Sequence, residues 1–161
     1  MQDDRIQLLA TATCSAGASI TSPRLAALQD SLSQACVISA RSHWDCKAAA
    51  YAEFFNVLAD AADDPRAAQV LNNGARFAYN LMIAVGRAAD YIVFNSRKRV
   101  LAYLRAGDFD EAGLEMEKHI RTLQFMWRLA NGSTGYAPEL ARPASGSWKP
   151  NDSPAHRSGN S

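Results

Sequence analysis

The stretch that decides the fold is Gly107-Asp-Phe-Asp-Glu-Ala-Gly-Leu-Glu-Met-Glu-Lys-His-Ile-Arg-Thr-Leu-Gln-Phe-Met-Trp127. Asp108 is the expected N-cap, and Glu111, three residues later, is the expected partner in a capping box. Apolar side chains then recur every three or four residues over about five turns. This pattern predicts a long amphipathic helix whose buried face carries Phe109, Ala112, Met116, Ile120, Leu123 and Trp127.

The same periodicity predicts further helices upstream, and no segment alternates convincingly with the period of two that a strand requires. Thr21-Ser22-Pro23 is a helix start, because a hydroxyl cap precedes proline. Gly74 falls inside the fourth predicted helix and weakens that prediction. The chain is therefore expected to be all-α, with helices over about 4–18, from 22, over 44–62, from 65 to 86 and over 88–106 before the last one.

The composition changes near residue 132. Ser, Thr, Gly, Pro and Asn dominate from there to Ser161, and repeated prolines exclude a long helix. Such a segment buries too little apolar surface to offset its ordering entropy. We therefore expect one helical domain over residues 1–131 and a disordered tail over 132–161, docked at most through Tyr136 or Trp148.

Bulk properties exclude several classes of protein. The chain has 161 residues, 48% of them hydrophobic, and a net charge of +1, which is not the electrostatic pattern of a nucleic-acid-binding face. Three cysteines without a Cys-x-x-Cys pair predict reduced, semi-buried thiols in a cytoplasmic protein, rather than a disulfide framework. The N-terminus has no apolar signal-peptide core, and no apolar run is long enough to span a membrane.

Two polar residues stand on apolar helix faces. His119 lies among Met116, Ile120 and Leu123, where it is either a hydrogen-bonded core histidine or a residue that lines a pocket. Arg97 lies on the face of Val93, where it either extends its charge to the solvent or offers a fixed fork to a buried anion.

Aromatic and catalytic patterns are less specific. Tyr51 and Phe55 lie one turn apart and share a face, for which core packing is the simple explanation. His43 is expected to be a surface or cap residue, and His156 falls in the tail. No nucleophile–base pair or paired carboxylates are evident, so the sequence does not favour an enzyme.

The fold-deciding stretch, extended upstream, resembles a known family signature. Tyr103-Leu-Arg-Ala-Gly-Asp108, then Ala112, then Met116-Glu-Lys-His-Ile120 is similar to the end of the FadR C-terminal (FCD) domain of GntR-family bacterial transcription regulators. Residues Glu53–Pro65 resemble a second, less specific segment of that domain. The helix spacing fits the family over about residues 4–130. The resemblance implies an antiparallel bundle of six or seven helices.

Many members of that family hold a divalent metal through one Asp and three His. The matching positions here are Tyr51, Phe55, Arg97 and His119. Only His119 is a metal ligand, and a guanidinium is always cationic at neutral pH, so the resemblance implies a member without metal or other cofactor. Arg97 would keep a positive charge in the cavity, and the two aromatic residues would make it more apolar.

The resemblance also implies a function. We expect an effector-sensing domain that binds an organic acid or acyl-type compound through Arg97, His119, Tyr51 and Phe55, and that modulates DNA binding by a separate domain absent from this chain. Arg5 matches a first-helix arginine of the family, although the Glu that follows in that motif is Leu9 here. A homodimer in the cytoplasm is expected. The alternative is a degenerate dimerisation module that binds no effector; the volume of the cavity between the helices would distinguish the two.

Overall fold

The computed structural model describes residues 2–132, and the regular secondary structure of this part of the chain is entirely helical. The tail beyond it, with Tyr136, Trp148 and His156, lies outside the described residues. A short 3-10 turn, Arg87–Ala89, precedes the fifth helix. The six α-helices are α1 (Gln2–Ala18), α2 (Ser22–Cys36), α3 (Trp44–Asp60), α4 (Pro65–Val85), α5 (Asp90–Ala106) and α6 (Phe109–Ala130).

The first and last helices pack against each other in antiparallel orientation. Asp3 near the start of α1 pairs with Arg121 in the second half of α6, with 2.8 Å between Oδ1 and Nη1. At the opposite end of the pair, the Cys14 thiol donates to Asp110 Oδ1 over 3.3 Å. Between these contacts the backbones come close together: a Cβ on Gly113 would lie 2.6 Å from the carbonyl oxygen of Ala10. The missing side chain at residue 113 thus sets how closely α1 and α6 approach.

The expected all-α bundle is confirmed, and Gly74 does not interrupt α4. A Cβ at that position would lie 2.6 Å from Cδ1 of Leu9 and 3.3 Å from Cδ1 of Phe55. Glycine is present because two neighbouring helices press against α4 there. Packing therefore outweighs the small loss of helix propensity that glycine carries.

The predicted helix boundaries are close to those observed, but the caps differ in detail. The carboxylate of Asp64 accepts from the Arg66 backbone N–H over 2.9 Å at the start of α4. Asp108 is the N-cap residue of α6, but its side chain makes no capping hydrogen bond. With ψ at 69° its backbone is not in the extended region from which an N-cap side chain reaches the first turn, so the predicted capping box is wrong. Gly107 adopts φ 77°, the left-handed conformation that ends α5 and that glycine tolerates.

The buried faces agree largely with the periodicity. Phe109 and Trp127, at the two ends of the predicted stripe of α6, are only half-buried. In α2, Leu28, Leu32 and Ala35 are buried, whereas Cys36, whose spacing continues the same stripe, is exposed. The helix ends at Cys36, so the last residue of the stripe has passed beyond the core. Cys14 and Cys46 are half-buried, as predicted for all three thiols.

No helix of the described part is both long and apolar enough to cross a bilayer.

Candidate functional site

Arg97 is buried completely inside the bundle. It projects from α5, and its side chain has 0% relative exposure. Helices α3 and α5 are not among the closely packed helix pairs, and the arginine side chain crosses between them to reach α3. The alternative in which Arg97 extends its charge to the solvent is therefore wrong.

The guanidinium of Arg97 is held by one turn of α3. Its Nε and Nη2 both donate to the backbone carbonyl of Tyr51, over 3.4 and 3.3 Å. Its central carbon lies 5.2 Å from the ring centroid of Phe54 and 4.8 Å from that of Phe55, which is cation–π distance. The third nitrogen, Nη1, is buried and has no hydrogen-bond partner among the described residues.

No carboxylate of the described residues forms an ion pair with this guanidinium. Burial without a counter-charge lowers the pKa of Arg97 to about 9, so the group is still cationic at neutral pH. A buried cation is normally paired, because its desolvation is costly. Arg97 instead offers an unpaired N–H edge and an uncompensated charge.

His119 is the second buried polar residue whose hydrogen-bonding capacity is unused. It is 2% exposed on α6, and neither ring nitrogen has a partner among the described residues. Burial, with the charges of Arg97 and Arg99, holds the pKa of His119 well below its usual range. The imidazole is therefore neutral at physiological pH, with one N–H donor and one acceptor nitrogen. The alternative of a hydrogen-bonded core histidine does not hold within the described residues.

A hydrogen-bonded network fixes Tyr51 at its other end. The Tyr51 hydroxyl donates to Asp90 Oδ1 over 2.6 Å, and Lys47 Nζ lies 3.8 Å from the same oxygen. The Lys47 ammonium also donates to the carbonyls of Ala35 and Ile38, over 2.9 Å each. Burial, together with the hydrogen bond to Asp90, raises the pKa of Tyr51. The phenol is therefore a fixed, neutral structural group that anchors the turn of α3 on which Arg97 rests.

Arg99, two residues after Arg97 on α5, already has an acidic partner. Its Nε donates to Glu115 Oε1 over 2.7 Å, and the carboxylate of Glu115 is nearly buried. Arg99 is itself about half exposed, with 49% of its side chain accessible. It therefore contributes little net charge to the interior.

The structure brings together most of the residues that the sequence singles out. Arg97 contacts Tyr51 and Phe55 directly, and its charge acts on His119. Arg5 differs from these four residues, since it is exposed on α1. His43 is exposed and lies at the N-cap position of α3, as expected.

Sequence reasoning missed three residues that shape the site. Phe54 follows directly in the α3 motif, and an extended search for aromatics around Phe55 would have found it. Lys47 and Asp90 carry no such signal. Lys47 lies one turn before Tyr51 on an alanine-rich helix, and Asp90 resembles an ordinary first-turn acid, so only the fold brings them together.

The residues at the four positions do not fit a metal ion. They offer a phenol, a phenyl ring, a guanidinium and one imidazole, whereas a stable site needs three or four ligating groups. Within residues 2–132 no three His, Cys, Asp or Glu side chains are grouped so that they could hold a metal. The chemistry that this arrangement supports is recognition of an anion by a fixed guanidinium, with a neutral imidazole nearby.

The chain matches no protein-family model, no curated protein and no solved structure at a significant level.

Proposed function

We propose that this chain is an effector-sensing domain that binds an organic acid or acyl-type compound in the core of the bundle, at Arg97. The observation that carries the proposal is a fully buried guanidinium that, within residues 2–132, has no carboxylate against it and no partner for Nη1. A carboxylate supplies both of the missing elements, a negative charge and a hydrogen-bond acceptor. Charge-assisted pairs of this kind are the stronger class of hydrogen bond.

The energetics favour a ligand over a permanently unpaired cation. Desolvation of an ion costs several kcal/mol even after relaxation. Two cation–π contacts, worth roughly 2 kcal/mol each when desolvated, offset part of this cost, and the two bonds to the Tyr51 carbonyl are long. An anion that binds at Nη1 would supply the counter-charge that these contacts do not.

The site also provides a means of signalling. Arg97 belongs to α5, whereas the carbonyl and the two phenyl rings that hold it belong to α3. An acid bound at Nη1 changes the balance of forces between two helices that do not pack closely together. We propose that this shifts the bundle between two packings, since a ligand moves such an equilibrium only by its differential affinity for the two states.

The resemblance of residues 103–120 to the FCD domain of GntR-family regulators supports the link to transcription. In this proposal the chain acts as a cytoplasmic homodimer. DNA is contacted by a separate winged helix-turn-helix domain, whose spacing the effector changes. The near-neutral net charge of +1 agrees with a domain that does not itself bind DNA.

The proposal is tested by thermal shift and calorimetry on the full chain at pH 7.5. The probes are straight-chain carboxylates, hydroxy acids and acyl thioesters, each at millimolar concentration. Bound acid should raise the melting temperature, because a ligand that binds only the folded state stabilises it by mass action. Arg97→Met should abolish the response and keep the fold, since Met is long, apolar and free of charge.

The matched control is Arg105→Met, which removes an exposed arginine from the same helix and should leave the response unchanged. If no acid shifts the melting temperature of the unaltered protein, or if Arg97→Met responds as strongly as the unaltered protein, acid sensing at Arg97 is wrong. The first outcome would favour a dimerisation module without an effector.

A further inference from the structure

We infer that the site selects acids by charge: it accepts a monoanionic carboxylate with an apolar body and rejects the dicarboxylate of the same length. This inference rests on the proposed function, because it concerns the ligand class of that same Arg97 site. It follows from the buried cations. Among the described residues these are Arg97 and Lys47, and only Arg97 has no carboxylate against it.

Lys47 and Arg99 already have partners of their own. Lys47 is 5% exposed, and its ammonium donates to two carbonyls at the end of α2 and lies 3.8 Å from Asp90. Arg99 is paired with Glu115 at 2.7 Å. Neither can turn toward a second carboxylate without leaving a buried or half-buried partner unpaired, which is the costly outcome for such groups.

His119 does not add a second charge. It is buried on α6, and the nearby guanidinium of Arg97 opposes its protonation. Its two unpartnered nitrogens provide one donor and one acceptor, which suit a neutral polar group of a ligand. The interior therefore offers one positive charge and neutral polarity beside it.

The surroundings of Arg97 limit how an anion approaches. Nε and Nη2 are directed at the Tyr51 carbonyl, and the rings of Phe54 and Phe55 lie against the guanidinium at 5.2 and 4.8 Å. The unpartnered donor is Nη1, so a carboxylate meets the guanidinium at that nitrogen. The two phenyl rings beside the guanidinium are apolar, so a second ionised group held against them would be desolvated without a partner.

The experiment compares three matched ligands at each chain length from four to ten carbons: the monocarboxylate, the dicarboxylate and the monomethyl ester of that dicarboxylate. Hexanoate, adipate and monomethyl adipate form one such set. The ester keeps the length and the second carbonyl of the diacid but removes one charge. Affinities are measured by calorimetry at pH 7.5, where both carboxyl groups of a free diacid are ionised.

The monocarboxylate and the monoester should bind with similar affinity, and the dicarboxylate at least about tenfold more weakly, at every length that gives binding. The neutral amide of the best monocarboxylate should not bind, and Arg97→Met should remove the difference between the three ligands. Arg105→Met should preserve it.

The outcomes separate the two proposals. A dicarboxylate that binds as tightly as its monoester overturns charge selection and leaves acid sensing intact. A monoester that binds as weakly as the diacid also overturns it, because length or polarity would then decide. Absence of binding by every acid, or equal binding of acid and amide, overturns acid recognition at Arg97 itself.

Discussion

The burial of Arg97 and His119 could be predicted from the sequence, but their hydrogen-bond partners could not. Both interrupt an apolar stripe, so their inward placement could be predicted from α5 and α6 alone. Their partners could not be predicted in this way. Arg97 donates to a backbone carbonyl 46 residues away in sequence. Because every residue has such a carbonyl, the sequence does not indicate which one accepts. Likewise, the lack of hydrogen-bond partners at His119 depends on every helix around it.

The buried imidazole makes the folded protein sensitive to acid. The pKa of His119 is well below 6.5 in the folded state and returns to about 6.5 on unfolding, so the unfolded chain binds the additional proton. The free energy of unfolding is therefore unaffected by His119 above about pH 6.5. Below that pH it falls by up to about 1.4 kcal/mol per pH unit. Between pH 7 and 5.5 the unaltered protein should lose about 1 kcal/mol more than His119→Gln.

Urea denaturation at the two pH values measures this difference. His43→Gln, which removes an exposed histidine at the start of α3, is the control and should retain the loss seen in the unaltered protein. Equal pH dependence in the unaltered protein and in His119→Gln would show that His119 is not a neutral, buried group.

At the scale of the element, helix existence was predictable and helix contact was not. Each helix was identified from its periodicity and its proline or glycine boundaries, and the bounds were close. The cap predicted at Asp108 does not form, whereas Asp64, for which no cap was predicted, caps α4, because capping depends on a backbone dihedral that residue type does not fix. Gly74 weakened the prediction of the fourth helix, whereas Gly113 fell inside a strongly periodic helix and carried no signal. Each glycine lies where another helix approaches closely, and such a contact cannot be predicted from the pattern of one helix alone.

The packing of α1 on α6 depends on Gly113. Gly113→Ala places a Cβ 2.6 Å from the carbonyl oxygen of Ala10, and backbone yields only if the helices separate. The substitution should lower the free energy of unfolding by about 1–3 kcal/mol, as overpacking of a core does, despite the better helix propensity of alanine.

Gly17→Ala is the matched control for this prediction. Its Cβ would meet Cδ2 of Leu104 at 2.7 Å and Cδ1 of Phe109 at 2.8 Å, which are ends of side chains that can move. Gly17→Ala should therefore lower the free energy of unfolding by less than Gly113→Ala does, when both are measured by chemical denaturation. If the order is reversed, the α1–α6 backbone approach is not what limits residue 113.

At the scale of the whole molecule, the all-α fold of residues 2–132 could be predicted, and the arrangement of the site could be predicted only in part. The resemblance to the FCD domain predicted one site for Tyr51, Phe55, Arg97 and His119; in the structure Arg97 contacts Tyr51 and Phe55, and His119 is buried on α6. It did not include the anchoring of that site by Lys47 and Asp90. Such contacts join α2, α3 and α5, and they depend on the packing of the complete bundle.

The last prediction concerns the assembly in which a sensing domain would act. We expect a homodimer, both from the resemblance to dimeric regulators and because two-fold pairs are the commonest assemblies of soluble proteins. A ligand that shifts α5 against α3 can alter the distance between two DNA-binding domains only if two copies are held together. Sedimentation equilibrium at tens of micromolar should therefore give twice the chain mass of 17.5 kDa. A mass of one chain across that range would contradict the prediction. Acid binding at Arg97 could still hold in that case, but signalling through the spacing of paired domains could not.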